Sequence, residues 1–141
     1  MIDHERRYMI TGINHITISV SNIGVSFDFY KEVLGFKPVM KSSFSAYLLL
    51  SDLWIALQEE KVERSNNTYS HIALNVKKDD YISMVEKLKE FNVIEWKKND
   101  TEGDSFYFLD PSGNKFELHY SDLNSRINHG KRNWKNVEWF V

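Results

Sequence analysis

A chain of 141 residues with a formal net charge of −2 has the length of one domain or of two small fused modules, and it offers no basic field for nucleic acid. Hydrophobic residues make up 42% and aromatic residues 14% of it, enough for a core and for pocket walls, yet no apolar run reaches the ~18 residues of a membrane span. Cysteine is absent, which excludes disulfides, thiolate metal sites and a cysteine nucleophile, so any thiol in the chemistry must come from outside the chain.

The segment Met1 to Met9 is polar and carries no signal-peptide hydrophobic region, so a cytoplasmic protein is the expectation. From Ile13 to Val20, apolar residues alternate at Ile16, Ile18 and Val20, the pattern of a strand with one buried face. Ser21 or Asn22 caps a helix that carries Phe27, Tyr30, Val33 and Leu34 at helical spacing, and Gly35 closes it. Strands are expected at 36–41, 45–50 and 53–58, with a hairpin turn at Ser51-Asp52. The polar stretch 59–68 reads as a linker.

The pattern then restarts. Tyr69 to Val76 reads as a strand. Asp79 or Asp80 caps a helix with Tyr81, Met84, Val85, Leu88 and Phe91 on one face, and strands follow at 93–98, 105–109 and 115–120. Asp110-Pro111-Ser112-Gly113 is the turn between the last two. Beyond Asp122 the chain reads as a short helix and an extended segment with an aromatic end, Trp134, Trp139 and Phe140, packing on the body or on a partner.

The order strand–helix–strand–strand–strand thus occurs twice, in halves that open alike: Asn14-His15-Ile16-Thr17 and Ser70-His71-Ile72-Ala73, 56 residues apart. The fold class is α+β, two βαβββ modules forming a curved mixed sheet with helices outside. The divisions are an N-terminal extension at 1–8, a first module at 9–58, a linker at 59–68, a second module at 69–121 and a tail at 122–141.

Chemistry concentrates in two sets. Glu117 lies in the middle of an apolar strand, where an unpaired carboxylate is costly. His15 and His71 hold the same place in their two modules. Two imidazoles and a carboxylate are a common three-ligand set for a divalent cation. The corresponding strand of the first half, Leu53 to Leu57, has no acid or histidine, so the site is open on one side. His119 shares a strand face with Glu117, which admits a supporting role behind the ligand, with packing the role expected first. The second set, Lys97, Asn99, Thr101, Ser105, Tyr107 and Arg126, joins two cations to several hydroxyls, suiting a phosphate or phosphonate dianion. The alternative for each of these is a solvated surface residue. The loop 99–104, with Gly103 permitting a tight bend, also reads as a cation-binding turn.

Over about residues 9–127 the chain resembles the fosfomycin-resistance thiol transferases of the vicinal oxygen chelate superfamily, the glyoxalase/bleomycin-resistance fold. The resemblance rests on Gly12 to Thr17, Phe29-Tyr30 ahead of Leu34-Gly35-Phe36, Ala46-Tyr47, Leu53-Trp54, Tyr69-Ser70-His71, and Glu102 to Pro111 leading to Glu117. It implies that His15, His71 and Glu117 bind a divalent metal, usually manganese, with magnesium, zinc or nickel as alternatives. It implies that Thr17 stands beside the metal and the epoxide oxygen, and that Lys97, Thr101, Ser105, Tyr107 and Arg126 cradle the phosphonate. Asn99, Gly103 and Ser105 match a loop that holds potassium in the glutathione-dependent branch. Thr101 replaces a serine of that branch, and Ser42 stands near its pocket tryptophan. The resemblance further implies a module-swapped homodimer, in which His15 meets His71 and Glu117 of the other chain.

The activity expected is addition of glutathione to the epoxide of fosfomycin, with Tyr47 or Tyr69 holding or deprotonating the thiol. The alternatives are transfer of bacillithiol or cysteine, epoxide hydrolysis, drug sequestration without chemistry, and another enzyme of the superfamily such as a dioxygenase or glyoxalase. Hydrolysis in this family uses an added glutamate base in the middle strands, and Lys37 to Ser51 contains no acid. No nucleic acid or membrane partner is expected.

Overall fold

The computed structural model describes residues 9–61, 68–99 and 104–141. Two βαβββ modules follow one another. The first comprises β1 (His15–Val20), α1 (Ile23–Asp28) running into a π-helical turn (Phe29–Val33), β2 (Lys37–Lys41), β3 (Ser45–Leu50) and β4 (Leu53–Glu59). The second comprises β5 (Ile72–Asn75), α2 (Lys78–Glu90), β6 (Glu95–Lys97), β7 (Ser105–Leu109) and β8 (Lys115–His119), and α3 (Leu123–Asn133) follows it. Each module forms a four-stranded mixed sheet, ordered β1-β4-β3-β2 and β5-β8-β7-β6. In each, the first strand runs parallel to the last and the remaining pairs are antiparallel. Among the described residues no helix is long and apolar enough to cross a membrane.

Local chemistry explains most of the boundaries. The Asn22 side chain accepts a hydrogen bond from the Val25 N–H and caps α1. Ser21 instead reaches across to the other module, its N–H donating to Ser112 Oγ at 2.9 Å. Gly35 leaves the helix at φ +77°, a left-handed conformation that suits glycine. The second helix departs from expectation at its start. Lys77 is the cap residue and makes no side-chain cap bond, while Asp79 and Asp80 lie in the first turn, where carboxylates complement the positive end of the helix dipole. At its end Phe91 is exposed rather than aligned with buried Leu88 and the partly buried Tyr81, Met84 and Val85. Of the strands shorter than expected, β5 and β6 lose most: β5 begins after His71, and β6 spans three residues with a register shift between Glu95 and Lys97.

The π turn is the other departure, and it sits against the core. Leu34 N–H bonds to Phe29 O, and Tyr30 between them is wholly buried. Its hydroxyl donates to Asp110 Oδ2 of the second module at 2.7 Å. Asp110, 4% exposed, also accepts from the Ser112 and Asn114 N–H groups and from the Asn114 side-chain amide. That amide donates in turn to Ser19 O on β1 at 3.0 Å. The turn between β7 and β8 is therefore a clamp that ties the second module to the helix and first strand of the first. Apolar side chains of both modules fill one core around it, including Leu48, Leu57, Leu88, Phe108 and Phe116.

Candidate metal centre

Strand register places equivalent residues of the two sheets on corresponding faces. In the first, Thr17, Ala56 and Tyr47 are cross-strand neighbours, with His15 opposite Trp54. In the second, Ala73, Glu117, Tyr107 and Lys97 form the corresponding row. Ala56 thus occupies the position that Glu117 holds in the other module.

Glu117 is 6% exposed and its two oxygens have different company. Oε1 lies 3.0 Å from His71 Nε2. The other nitrogen of that ring, Nδ1, lies 2.8 Å from Tyr69 O. A carbonyl only accepts, so Nδ1 carries a proton, and the neutral ring then turns the Nε2 lone pair toward a carboxylate oxygen. Two lone pairs facing at this distance need a cation between them, either a proton that makes the ring an imidazolium or a metal ion. A Nδ1–H held by a backbone carbonyl, with Nε2 facing a carboxylate, is the usual preparation of a metal-ligating histidine.

His15 is prepared in the same way. Its Nδ1 lies 2.7 Å from Asn14 Oδ1, and its ring stacks on Trp54 at 4.3 Å. The structure brings together His71 and Glu117 but does not add His15 to them, and among the described residues no three His, Asp or Glu side chains form a metal-binding group within one chain. Thr17 is exposed on the strand face of His15 and lines a groove of about 510 Å³, which also takes in Ser19, Ser70, His71 and Lys115. Tyr47 meets Trp54 edge-on at 5.0 Å.

The residues expected to hold the dianion, the thiol and potassium are spread over several places. Lys97, Tyr107 and Tyr69 are contiguous with the histidine: Lys97 Nζ lies 4.9 Å from the Tyr107 ring centre and 5.9 Å from that of Tyr69, and Tyr69 packs on His71 at 5.0 Å. Asn99 follows β6 and is exposed, and Arg126 lies half-buried in the first turns of α3. Thr101 and Gly103 lie outside the described residues. Ser105 is buried, and its Oγ is 2.6 Å from Glu117 Oε2.

Sequence reasoning missed that last contact, and it ranked a supporting role for the neighbouring His119 below packing. His119, expected to serve packing, is hydrogen-bonded: its Nδ1 lies 2.6 Å from Ser105 Oγ and 3.1 Å from Asp104 O. The signal was present in the hairpin, because a turn that pairs Leu109 with Lys115 makes Ser105 and His119 cross-strand partners. Nearby, the Tyr120 hydroxyl donates to Asp104 Oδ2 at 3.0 Å, which pushes its pKa up. Burial, with Asp104 second, raises that of Tyr81 to about 12.

Comparison with known proteins identifies the family. Residues 12–118 match the model of the Glyoxalase/Bleomycin resistance protein/Dioxygenase superfamily. The chain belongs to this superfamily, and within it to the thiol-transferase family that includes FosB and FosA. The metallothiol transferase FosB of Staphylococcus haemolyticus is 40% identical over 94% of this chain and all of its own length. The glutathione transferase FosA of Serratia marcescens is 36% identical over 84% of this chain and 87% of its own. Among solved structures, a variant of the fosfomycin resistance protein FosX from Listeria monocytogenes, complexed with Mn(II) and 1S,2S-dihydroxypropylphosphonic acid, superposes with a TM-score of 0.79. It is 28% identical, with 86% of this chain and 98% of that one covered.

Proposed function

We propose that this chain is a metal-dependent transferase that adds a small-molecule thiol to the epoxide of fosfomycin and opens its ring. The observation that carries the reading is the facing pair of His71 Nε2 and Glu117 Oε1, each with its other polar atom already engaged. His71 and Glu117 of one chain with His15 of a second copy would hold the cation, manganese being the first candidate, with magnesium, zinc and nickel suiting the same donors. Such an ion supplies Lewis acidity toward the oxygens of the phosphonate and the epoxide.

The chain's own residues do the rest. Lys97 sets an ammonium against the rings of Tyr69 and Tyr107. With Thr101 and Arg126 it opposes the phosphonate dianion, the lysine as a point charge and the arginine as a planar fork, while the Ser105 hydroxyl, expected in the same cradle, donates to Glu117 Oε2 instead. Fixing the dianion fixes the epoxide carbon, and orientation of this kind supplies much of the acceleration. Thr17 offers a hydroxyl to the oxygen released as the ring opens, and Tyr47 or Tyr69 holds the incoming thiol.

The thiol in this reading is glutathione, on the pattern of the loop from Lys97 to Ser105 with Asn99, Gly103 and Ser105 around potassium. Turnover of fosfomycin by manganese-loaded protein with glutathione, bacillithiol or cysteine, with and without potassium, tests it. Glutathione turnover activated by potassium is the expected result. Turnover with another thiol alone would replace glutathione, and no response to potassium would remove the ion. Ring opening without thiol would favour hydrolysis, a reading supported by the dihydroxypropylphosphonic acid bound in the FosX structure but opposed by the lack of any acid from Lys37 to Ser51.

The swapped arrangement has its own test. Tyr30, Asp110, Asn114 and Ser19 clamp the modules of one chain together, and His15 does not join His71 and Glu117 within it. Mixing inactive His15→Ala chains with inactive Glu117→Ala chains should restore about a quarter of the activity, because each mixed dimer regains one intact site. No recovery after subunit exchange would place all three ligands in one chain.

A further inference from the structure

We infer that His119 is a positioning residue for the metal site: acting through Ser105, it fixes the Glu117 carboxylate so that only Oε1 faces the cation. The inference rests on the reading of Glu117 as a metal ligand. Ser105 Oγ has one hydrogen and lies 2.6 Å from both Glu117 Oε2 and His119 Nδ1. The carboxylate can only accept, so the hydroxyl donates to it. Ser105 must then accept from His119, and Nδ1 of that ring must carry a proton. Asp104 O, 3.1 Å from the same nitrogen, is a second acceptor and demands the same tautomer.

The two histidines beside Glu117 are therefore not equivalent. His71 turns a lone pair to Oε1, and that gap requires a cation. His119 sends a donor toward Oε2 through a hydroxyl, its Nδ1 standing 3.5 Å from Oε2, farther than from Ser105 Oγ, and that side is complete without a cation. Glu117 is thereby held with one oxygen engaged and the other available, and its rotation to grip the ion with both oxygens would break the bond from buried Ser105. Backbone pairing makes the relay rigid, since Ser105 lies opposite His119 and Tyr107 opposite Glu117. His119 also reaches the residue that ends the loop expected to hold phosphonate and potassium. Its N–H, shared between Ser105 Oγ and Asp104 O, and the Tyr120 hydroxyl on Asp104 Oδ2 tie Asp104 to the end of β8.

Manganese affinity of the whole purified protein, measured by calorimetry, tests the relay apart from turnover. His119→Phe keeps a ring but no donor, and should weaken manganese binding roughly 10- to 100-fold. His119→Asn returns an N–H near the place of Nδ1, and should recover most of that loss. Ser105→Ala should weaken binding comparably, and adding His119→Phe to it should cost less than about twofold more, because the path is already cut. Wild-type affinity in both His119→Phe and Ser105→Ala, equal losses in the Phe and Asn variants, or fully multiplying losses in the double variant would overturn the relay while leaving the metal site standing. If wild-type protein shows no manganese binding that depends on Glu117, the relay and the metal reading fall together.

Discussion

The two modules share one backbone plan and carry different chemistry on it. At matched positions the first presents His15, Thr17, Ala56 and Tyr47, and the second His71, Ala73, Glu117 and Tyr107. Both histidines have Nδ1 against an oxygen acceptor. Only the second module adds an acid, a buried serine beneath it, and Lys97 at the end of the same row. The first answers with a hydroxyl and an aromatic wall, Trp54 between His15 and Tyr47. On the proposed reading a duplicated frame divides the labour: one half takes charge and anion, and the other shapes the space and leaves the ion open to substrate.

The sharpest way to break this comparison is to remove the acid. Glu117→Ala, and likewise His71→Ala, should abolish metal-dependent turnover, a loss of at least about 10³-fold, and steady-state assays across a manganese titration would reveal any rescue. Making the halves alike comes next. Ala56→Glu places a second carboxylate beside Thr17, where it should tighten manganese binding yet slow turnover by about tenfold or more, by filling the position that substrate needs. Calorimetry together with kinetics reads both effects, and unchanged turnover would mean that Ala56 does not border the site.

Arg126→Ala should raise KM for fosfomycin about tenfold or more and leave KM for the thiol nearly unchanged, whereas equal effects on both would remove Arg126 from the phosphonate site. The smallest effect concerns α3, which carries that arginine. The Ser125 N–H on the Asp122 carboxylate holds its pKa below the ordinary aspartate value. The cap's contribution is therefore complete above the ordinary value and is lost as pH falls through the lowered one. Asp122→Ala should lose part of the helical circular dichroism at neutral pH and remove this acid-dependent step, while Glu117-dependent metal binding persists.

Much of this was legible beforehand, for physical reasons. The strands announced themselves because a sheet with one buried face imposes alternation, as at Ile16, Ile18 and Val20. The repeat of His15 and His71 was visible because register was preserved along with backbone plan. What escaped depended on distant pairing. The π turn at Phe29–Val33 goes with a Tyr30 hydroxyl bonded to Asp110, 80 residues away. The start of α2 at Lys78 did not require a side-chain cap. His119 read as packing because its partner Ser105 lies on another strand, and only the length of the intervening turn brings the two together.

That turn has a consequence for how the polypeptide can be divided. Asp110, Asn114, Ser112, Tyr30, Ser19 and Ser21 stitch the modules together with side chains from both, and one apolar core runs through them. The covalent link across 59–68 is therefore not the sole tie between halves. Two fragments broken in that stretch and produced together should find each other, the second half docking on the first as a loosened part returns to its seat. New chain ends, or an inserted reporter domain, could then be placed there without unseating either half.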